Sequence, residues 1–577
     1  MPLCSNCSAQ IFMPRIDQHK PSLTGLICDK LCSESGVPSI SQPDKIATLL
    51  ESVMRHIASC GDEIRYMDVR RALAFLDKQQ SFLQDCRDHL QDFLSPIQKL
   101  PNEILQCIFD ECCVMNYFRV GDRRQSSTQN FRSKPALSIS SVSVRWRRNA
   151  LSLPSIWSRI SLEWSYDQSL DYFSVACGKH QPDGQVHEKV LFALDNFLNR
   201  SKQYPLSVTM QLKDSPLIFD GSKRRLCPVV SCLMEHAHRW RTFSNNSSRL
   251  FRNTFSSLPL LEETVFVQTP GIHDLAVLGG APKLKSLIFR CHPHNVTGFC
   301  LENLSHLELR PLESDLETLF HKFPKLISLK LVVYYSNGGH YRCPENVSLS
   351  SVLETLTVVA GHYVKSETLR DNCSVFPFFT LPSLKTIHLQ RQKVGSDGNW
   401  LNFDHFVAFI NRSSFKLSTL HIEGPALSDS NLVLVLILMP TLLDLTLVDT
   451  DVSLESSPIT RRFIERLRVG DTFPQMLPRL YSLTLSSCSE SFDDAVVIAM
   501  IQSRWCPYQY KGPVGSERGT DQWPVFAVDC LRECTIRFPN RKESELEYVY
   551  SCLKCVEQDG MRLNVSGNND RARVELA

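Results

Sequence analysis

One phrase keeps returning in the C-terminal part of this chain. It is a leucine, two variable residues, a second apolar residue, one variable residue and a third apolar residue. Copies begin at Leu261, Leu284, Leu304, Leu326, Leu353, Leu384, Leu417, Leu442 and Leu480, and a degenerate copy spans 531–536. In most copies a proline stands two residues ahead, as at Pro282, Pro324, Pro382, Pro440 and Pro478. The two alternating apolar residues describe a short strand with one buried face. The first leucine turns the corner into it. A strand this short cannot hold itself, so the series requires stacking, each copy burying its apolar face against the next. Leu261 to Leu284 is 23 residues, Leu284 to Leu304 is 20 and Leu304 to Leu326 is 22. Later steps stretch: Leu384 to Leu417 is 33 and Leu442 to Leu480 is 38. The surplus must loop out or form longer helices, such as one over 403–410. Unrelated strand–helix units in an ordinary α/β sheet are the competing reading, but they call for longer apolar runs and glycine-rich turns.

The preceding segments read differently. Residues 160–164 alternate like a strand, 190–198 form an amphipathic helix, and 205–212 alternate again. Upstream, Pro101 suits the first position of a helix and Glu103 suits its dipole. Ile104, Leu105, Ile108 and Phe109 then paint one helical face. Val142 and Trp146 sit four apart in a second amphipathic run, with Arg145, Arg147 and Arg148 on the wet side. Residues 112–136 between these runs are rich in Arg, Ser and Gln and read as a surface loop. Two short amphipathic helices are marginal alone and gain by laying their stripes into a partner's groove.

Residues 45–97 are expected to be helical, with Asp44 as N-cap and Leu76, Leu83, Leu90 and Ile97 every seven residues. A helical hairpin or short coiled coil fits. Residues 1–44 show little periodicity and read as an irregular lead. They hold Cys4, Cys7, Cys28 and Cys32, whose spacing leaves zinc binding open against four unligated thiols.

Residues 100–109 (Leu-Pro-Asn-Glu-Ile-Leu-Gln-Cys-Ile-Phe), 141–150 (Ser-Val-Ser-Val-Arg-Trp-Arg-Arg-Asn-Ala) and 153–157 (Leu-Pro-Ser-Ile-Trp), in that order, resemble an F-box. The repeated phrase resembles leucine-rich repeats. Over nearly its whole length the chain resembles the fungal F-box proteins that carry such repeats. The resemblance implies a substrate-recognition subunit of an SCF-type cullin–RING ubiquitin ligase. In it Leu100, Pro101, Ile104, Leu105, Ile108, Phe109, Val142 and Trp146 would bury into the Skp-family adaptor, and the concave strand face would hold a target protein. A repeat scaffold acting outside any ligase is the alternative. The chain departs from the family in the insert at 112–136, in Val144 where many members carry Cys or a small residue, and in the mostly missing asparagine after each strand.

The expected fold class is therefore an α/β repeat. An N-terminal helical hairpin and an all-α F-box precede an irregular leucine-rich-repeat solenoid with a parallel strand ladder. The expected divisions are 1–44 irregular lead, 45–97 helical segment, 98–158 F-box-like domain, 159–240 connector with a first repeat unit, and 241–577 repeats.

Composition excludes several classes. A net charge of +2 over 577 residues argues against a general nucleic-acid binder. The basic runs at Lys223, Arg224 and Arg225 and at Arg461 and Arg462 read as solvated loops. The most apolar stretch, 432–439, ends at Pro440, far short of the roughly 20 residues that span a bilayer. No basic stretch followed by an apolar run opens the chain, so a cytoplasmic or nuclear protein with 22 reduced cysteines, many serving as small core residues, is expected. No phosphate loop, nucleophile elbow or metalloprotease helix is present, and no cofactor or catalysis is expected. Cys552 and Cys555 have redox-motif spacing inside a helix-like run, which favours a structural role.

Overall fold

A computed structural model describes a few residues between 51 and 87, then 96–120, 133–164, 184–212, 217–220, 223–226, 228–246, 257–268, 276–290, 300–311, 313–335, 344, 347–362, 374–391, 401–424, 427–449, 457–470, 475–488, 492–505 and 528–568. The cysteines at 4, 7, 28 and 32 and most of the expected hairpin at 45–97 lie outside the described residues. The chain forms two compact units, Met1–Ser207 and 208–577.

In the first unit, α1 (Asn102–Cys112) leads to β1 (Asn116–Val120), α2 (Pro135–Val142), α3 (Val144–Ser152), β2 (Arg159–Trp164) and α4 (Gly184–Arg200). Pro101 is the N-cap of α1 rather than its first helical residue. The expected surface loop at 112–136 is in part a strand: Phe118 and Val120 alternate inward with Tyr117 and Arg119 outward, and β1 pairs in parallel with β2. The expected single run across Val142 and Trp146 is two helices. Ser143 is extended between them, and its hydroxyl accepts from the Trp146 N–H at 3.1 Å, capping α3. Arg145 is likewise not on the wet side. It is buried, and donates to Asn102 Oδ1 at 3.1 Å and to the Leu100 carbonyl at 2.5 Å.

Polar groups inside this unit are well matched. Fully buried Asn116 donates to the carbonyls of Ile156 (2.8 Å) and Arg159 (2.9 Å) and accepts from the Ala136 N–H, so one side chain ties β1 to two neighbouring segments. Trp157 is fully buried, donates to the Ala150 carbonyl at 2.7 Å, and carries the Arg200 guanidinium over its ring at 4.5 Å.

The repeated phrase becomes a ladder. β3 (Leu206–Leu212), α5 (Pro228–Glu235), β4 (Trp240–Asn245), β5 (Glu263–Phe266), β6 (Ser286–Phe289), β7 (His306–Leu309), α6 (Glu313–Lys322), β8 (Ser328–Tyr335), β9 (Thr355–His362) and β10 (Thr386–Arg391) follow in order. Then come α7 (Phe403–Ser413), β11 (Thr419–Glu423), α8 (Asp429–Ile437), β12 (Asp444–Val448), α9 (Arg461–Leu467), β13 (Ser482–Ser486) and α10 (Asp494–Trp505). β14 (Glu533–Lys542), α11 (Glu543–Val549), α12 (Lys554–Gln558) and β15 (Arg562–Asn568) close the described chain. The architecture is α/β with a long parallel ladder: β3 to β15 lie in one sheet in chain order. From β4 to β15 every neighbour pair is parallel.

Register follows the leucines. Leu329 pairs with Leu356, Leu356 with Ile387, Ile387 with Leu420, and Leu445 with Leu483, so the second position of every copy falls into one column. These side chains are fully buried or nearly so, and each stabilises the ladder by about 1.5–3 kcal/mol. The corners are stitched as well. Lys285 N–H donates to the Glu262 carbonyl, Ile327 to Ser305, Lys385 to Glu354, Tyr481 to Leu443 and Arg562 to Arg532, at 2.8–2.9 Å.

The long steps hold helices beside the sheet. α7 lies within the 384–417 step; Asn402 caps it by accepting from His405 N–H, and Ser414 ends it in the left-handed region at φ 48°. Its Arg412 donates to the Phe376 and Phe379 carbonyls at 2.8 and 2.7 Å. Arg504 in α10 repeats the device in a fully buried position, donating to the carbonyls of Leu467, Met476 and Leu477 at 2.6–3.0 Å. Burial lowers its pKa to about 10. At the C-terminal end, Arg541 grips Asp494 through two contacts of 2.9 Å, and Tyr550 donates to the same carboxylate at 2.7 Å.

The basic runs are not loops. Arg224 and Arg225 lie in a short antiparallel strand pair, Leu217–Asp220 with Lys223–Leu226, separate from the ladder. Arg461 opens α9 and pairs with Glu465 at 2.8 Å and Asp493 at 3.1 Å. No helix among the described residues is long and apolar enough to cross a membrane.

Candidate docking surfaces

The eight residues singled out on α1, α2 and α3 divide by burial. Leu105 and Phe109, four apart, are 0% exposed and belong to the core of the first unit. Trp146 is half-buried with its ring 4.8 Å from that of Phe109, so it packs on the core too. Ile104 and Ile108 occupy the next face of α1 and are 48% and 36% exposed. Val142, at the end of α2, is 61% exposed; Pro101 is exposed and Leu100 half-buried. The helix α1 thus has two apolar stripes, one inside and one outside. Sequence periodicity merges them, because adjacent residues on a helix differ by only 100°.

Val144, treated in the sequence only as a departure from a family pattern, is 60% exposed, and Leu151 on the same helix is 40% exposed. A run of apolar residues beyond what the Phe109–Trp146 contact can use was the available signal. Exposed aliphatic side chains on neighbouring short helices are the chemistry of a protein contact.

The second surface is the outward strand face of the ladder, made by residues between the buried ones. In the middle position of the rungs from β7 to β14 stand Glu308, Lys330, Thr357, His388, His421, Thr446, Thr484 and Thr535 in turn. His388 and His421 face each other on adjacent strands with ring centroids 5.5 Å apart. Burial lowers both imidazole pKa values. At His388 the neighbouring His421 adds to the effect, and at His421 Glu423, 3.9 Å away, opposes it. The pair is thus biased toward neutral imidazole. Lys285, Lys385 and Tyr481 are exposed, and Ser305, Thr419 and Asp444 are half-buried.

Cysteines are less uniform than expected. Cys113 and Cys534 are core residues whose thiols burial pushes up to about 12. Cys107, Cys112, Cys300, Cys552 and Cys555 are exposed. Cys552 and Cys555 lie in consecutive helical turns, and each thiol donates to a carbonyl three residues earlier. Among the described residues, no group of three or more His, Cys, Asp or Glu is placed to hold a metal ion.

No protein-family model and no curated protein matches the chain.

Proposed function

We propose that this chain is a substrate-recognition subunit of an SCF-type cullin–RING ubiquitin ligase. The helices α1, α2 and α3 act as an F-box docking on a Skp-family adaptor. The ladder acts as an irregular leucine-rich-repeat solenoid that holds the target protein. The observation that carries the reading is the outer stripe of α1: Ile104 and Ile108 stay in water although Leu105 and Phe109 already supply the core contact. Together with Pro101, Val142 and Val144 they form an aliphatic set that a partner's groove would cover. Leu105, Phe109 and Trp146 then support the docking face from behind rather than entering the adaptor.

In this role the chain makes and breaks no covalent bond. It raises the effective concentration of the target beside the ubiquitin-charged enzyme and orients it, which is the proximity contribution to catalysis. A repeat scaffold outside any ligase is the second reading, favoured only to the extent that α1 and α3 bury Leu105, Phe109 and Trp146 for the chain's own fold. Co-purification of the full-length chain with a Skp-family adaptor separates them. Retention of the adaptor supports the receptor; its absence leaves the scaffold.

A further inference from the structure

The charges on the outward strand face are matched from rung to rung. Arg241 Nε lies 3.1 Å from Glu262, Lys330 Nζ 3.3 Å from Glu308, Lys385 Nζ 2.6 Å from Glu354, and Arg562 2.7 Å from Glu533. Each pair joins neighbouring strands or their corners. A cation already facing a carboxylate offers an incoming phosphate little net attraction, because the carboxylate repels it. Phosphate recognition calls for the opposite arrangement, arginines clustered with their forks free.

The middle rungs, β9 to β13, lack such a cluster among the described residues. Between the buried columns they present Thr357, His388, His421, Thr446 and Thr484: hydroxyls and imidazoles without fixed charge. Their cations are Lys385, paired with Glu354, and Arg391, whose stem packs 3.1 Å from where a Cβ on Gly424 would stand. Against Arg391 stand two described carboxylates. Glu423 faces His421 at 3.9 Å, and Asp444 accepts from the Thr419 hydroxyl at 3.5 Å. Neither described contact supplies a permanent positive charge. The face is therefore neutral to acidic and rich in hydrogen-bonding groups.

We propose that this strand face takes an extended, unphosphorylated target segment that carries lysine or arginine. One cation sits against Glu423 and another against Asp444, at opposite ends of neighbouring rungs, and its polar groups meet the hydroxyls of Thr357, Thr446 and Thr484. A phosphate in either place would face a carboxylate. The proposal rests on the receptor reading only in calling the occupant a target; the charge argument stands on the ladder alone.

The full-length chain is titrated with fluorescent Gly-Ser-Thr-Asn peptides that carry lysine, glutamate or phosphoserine at the same positions. Adaptor retention is measured on the same preparation. The lysine peptide is expected to bind at least about tenfold tighter than the other two. The double variant E423Q/D444N, at two half-buried positions of the strand face, should lose that margin while its circular dichroism stays native. Equal or tighter binding of the glutamate or phosphoserine peptide, an unchanged margin in E423Q/D444N, or no binding by any peptide would overturn the proposal. Lysine selectivity without adaptor retention would sink the ligase reading and leave this one standing; the converse would do the reverse.

Discussion

Ile104 and Ile108 allow the proposed docking to be separated from folding. At 48% and 36% exposure, the two together leave in water a little less than one whole isoleucine side chain. A fully buried isoleucine is worth about 1.5–3 kcal/mol, so replacing both by alanine, which keeps the first carbon, removes about 1.5 kcal/mol of docking energy. That is roughly a tenfold rise in the Kd for the adaptor. Folding stability should scarcely change, because neither side chain fills the core. Leu105→Ala, one residue away but 0% exposed, should do the opposite: a loss of about 2–5 kcal/mol of stability. A carboxylate at Leu105 would confuse the two effects by unfolding the helix it is meant to probe. Calorimetric titration against purified adaptor gives the affinity, and urea midpoints give the stability. An unchanged Kd for I104A/I108A would refute the outer-stripe argument. So would a Leu105→Ala variant that docks poorly while remaining as stable as the parent.

Three further outcomes follow from the interior and the strand face. Arg504→Met leaves the carbonyls of Leu467, Met476 and Leu477 without their donor and should cost roughly 3–6 kcal/mol, read as a lower urea midpoint; a midpoint within error of the parent would contradict that role. His388 and His421 have folded pKa values below the ordinary 6.5, so on acidification the unfolded chain takes up protons first. Stability should therefore fall as pH drops below 6.5 toward the folded values and stay flat above it, and H388N/H421N should flatten the slope; equal slopes in parent and variant would count against the pair. Asp494→Asn weakens the grip of Arg541 and Tyr550 by about 1.5–3 kcal/mol, and hydrogen exchange should rise over β14 and β15 but not over β5 to β8; uniform protection would show that the cluster is not a local clasp.

The sequence was most legible where chemistry and geometry share a period. Leu-x-x-Leu-x-Leu marks a strand because the inward positions of a short buried strand tolerate little else, and β5 to β14 appear where the phrase does. Two rungs escaped it. In β4 the phrase reads Trp240-x-x-Phe243-x-Asn245, ending on a buried asparagine, and before β15 the corner leucine is replaced by Gly560 at φ 104°. The insert strand β1 hides among polar residues, its alternation carried by Asn116, Phe118 and Val120 alone. On α1 to α3, composition marked the apolar residues but not their sides. One cap, Ser143, turned a single amphipathic run into two helices and drew Arg145 inward. The charge logic of the strand face was illegible because Lys385 and Glu354, or Lys330 and Glu308, become neighbours only once the rungs stack.

The uneven steps between rungs carry a consequence of their own. Thirty-three residues separate Leu384 from Leu417 and thirty-eight separate Leu442 from Leu480. Yet Thr386 still meets Thr419, and Asp444 still meets Ser482, without a slipped position. The described part of the extra chain forms the helices α7 and α9 outside the ladder, and the register of the strands does not shift. Insertion and deletion at those places are therefore free to vary the bulk of the protein while the strand face changes one side chain at a time. Selection on the strand face and drift in the scaffold can run on separate clocks within the same molecule.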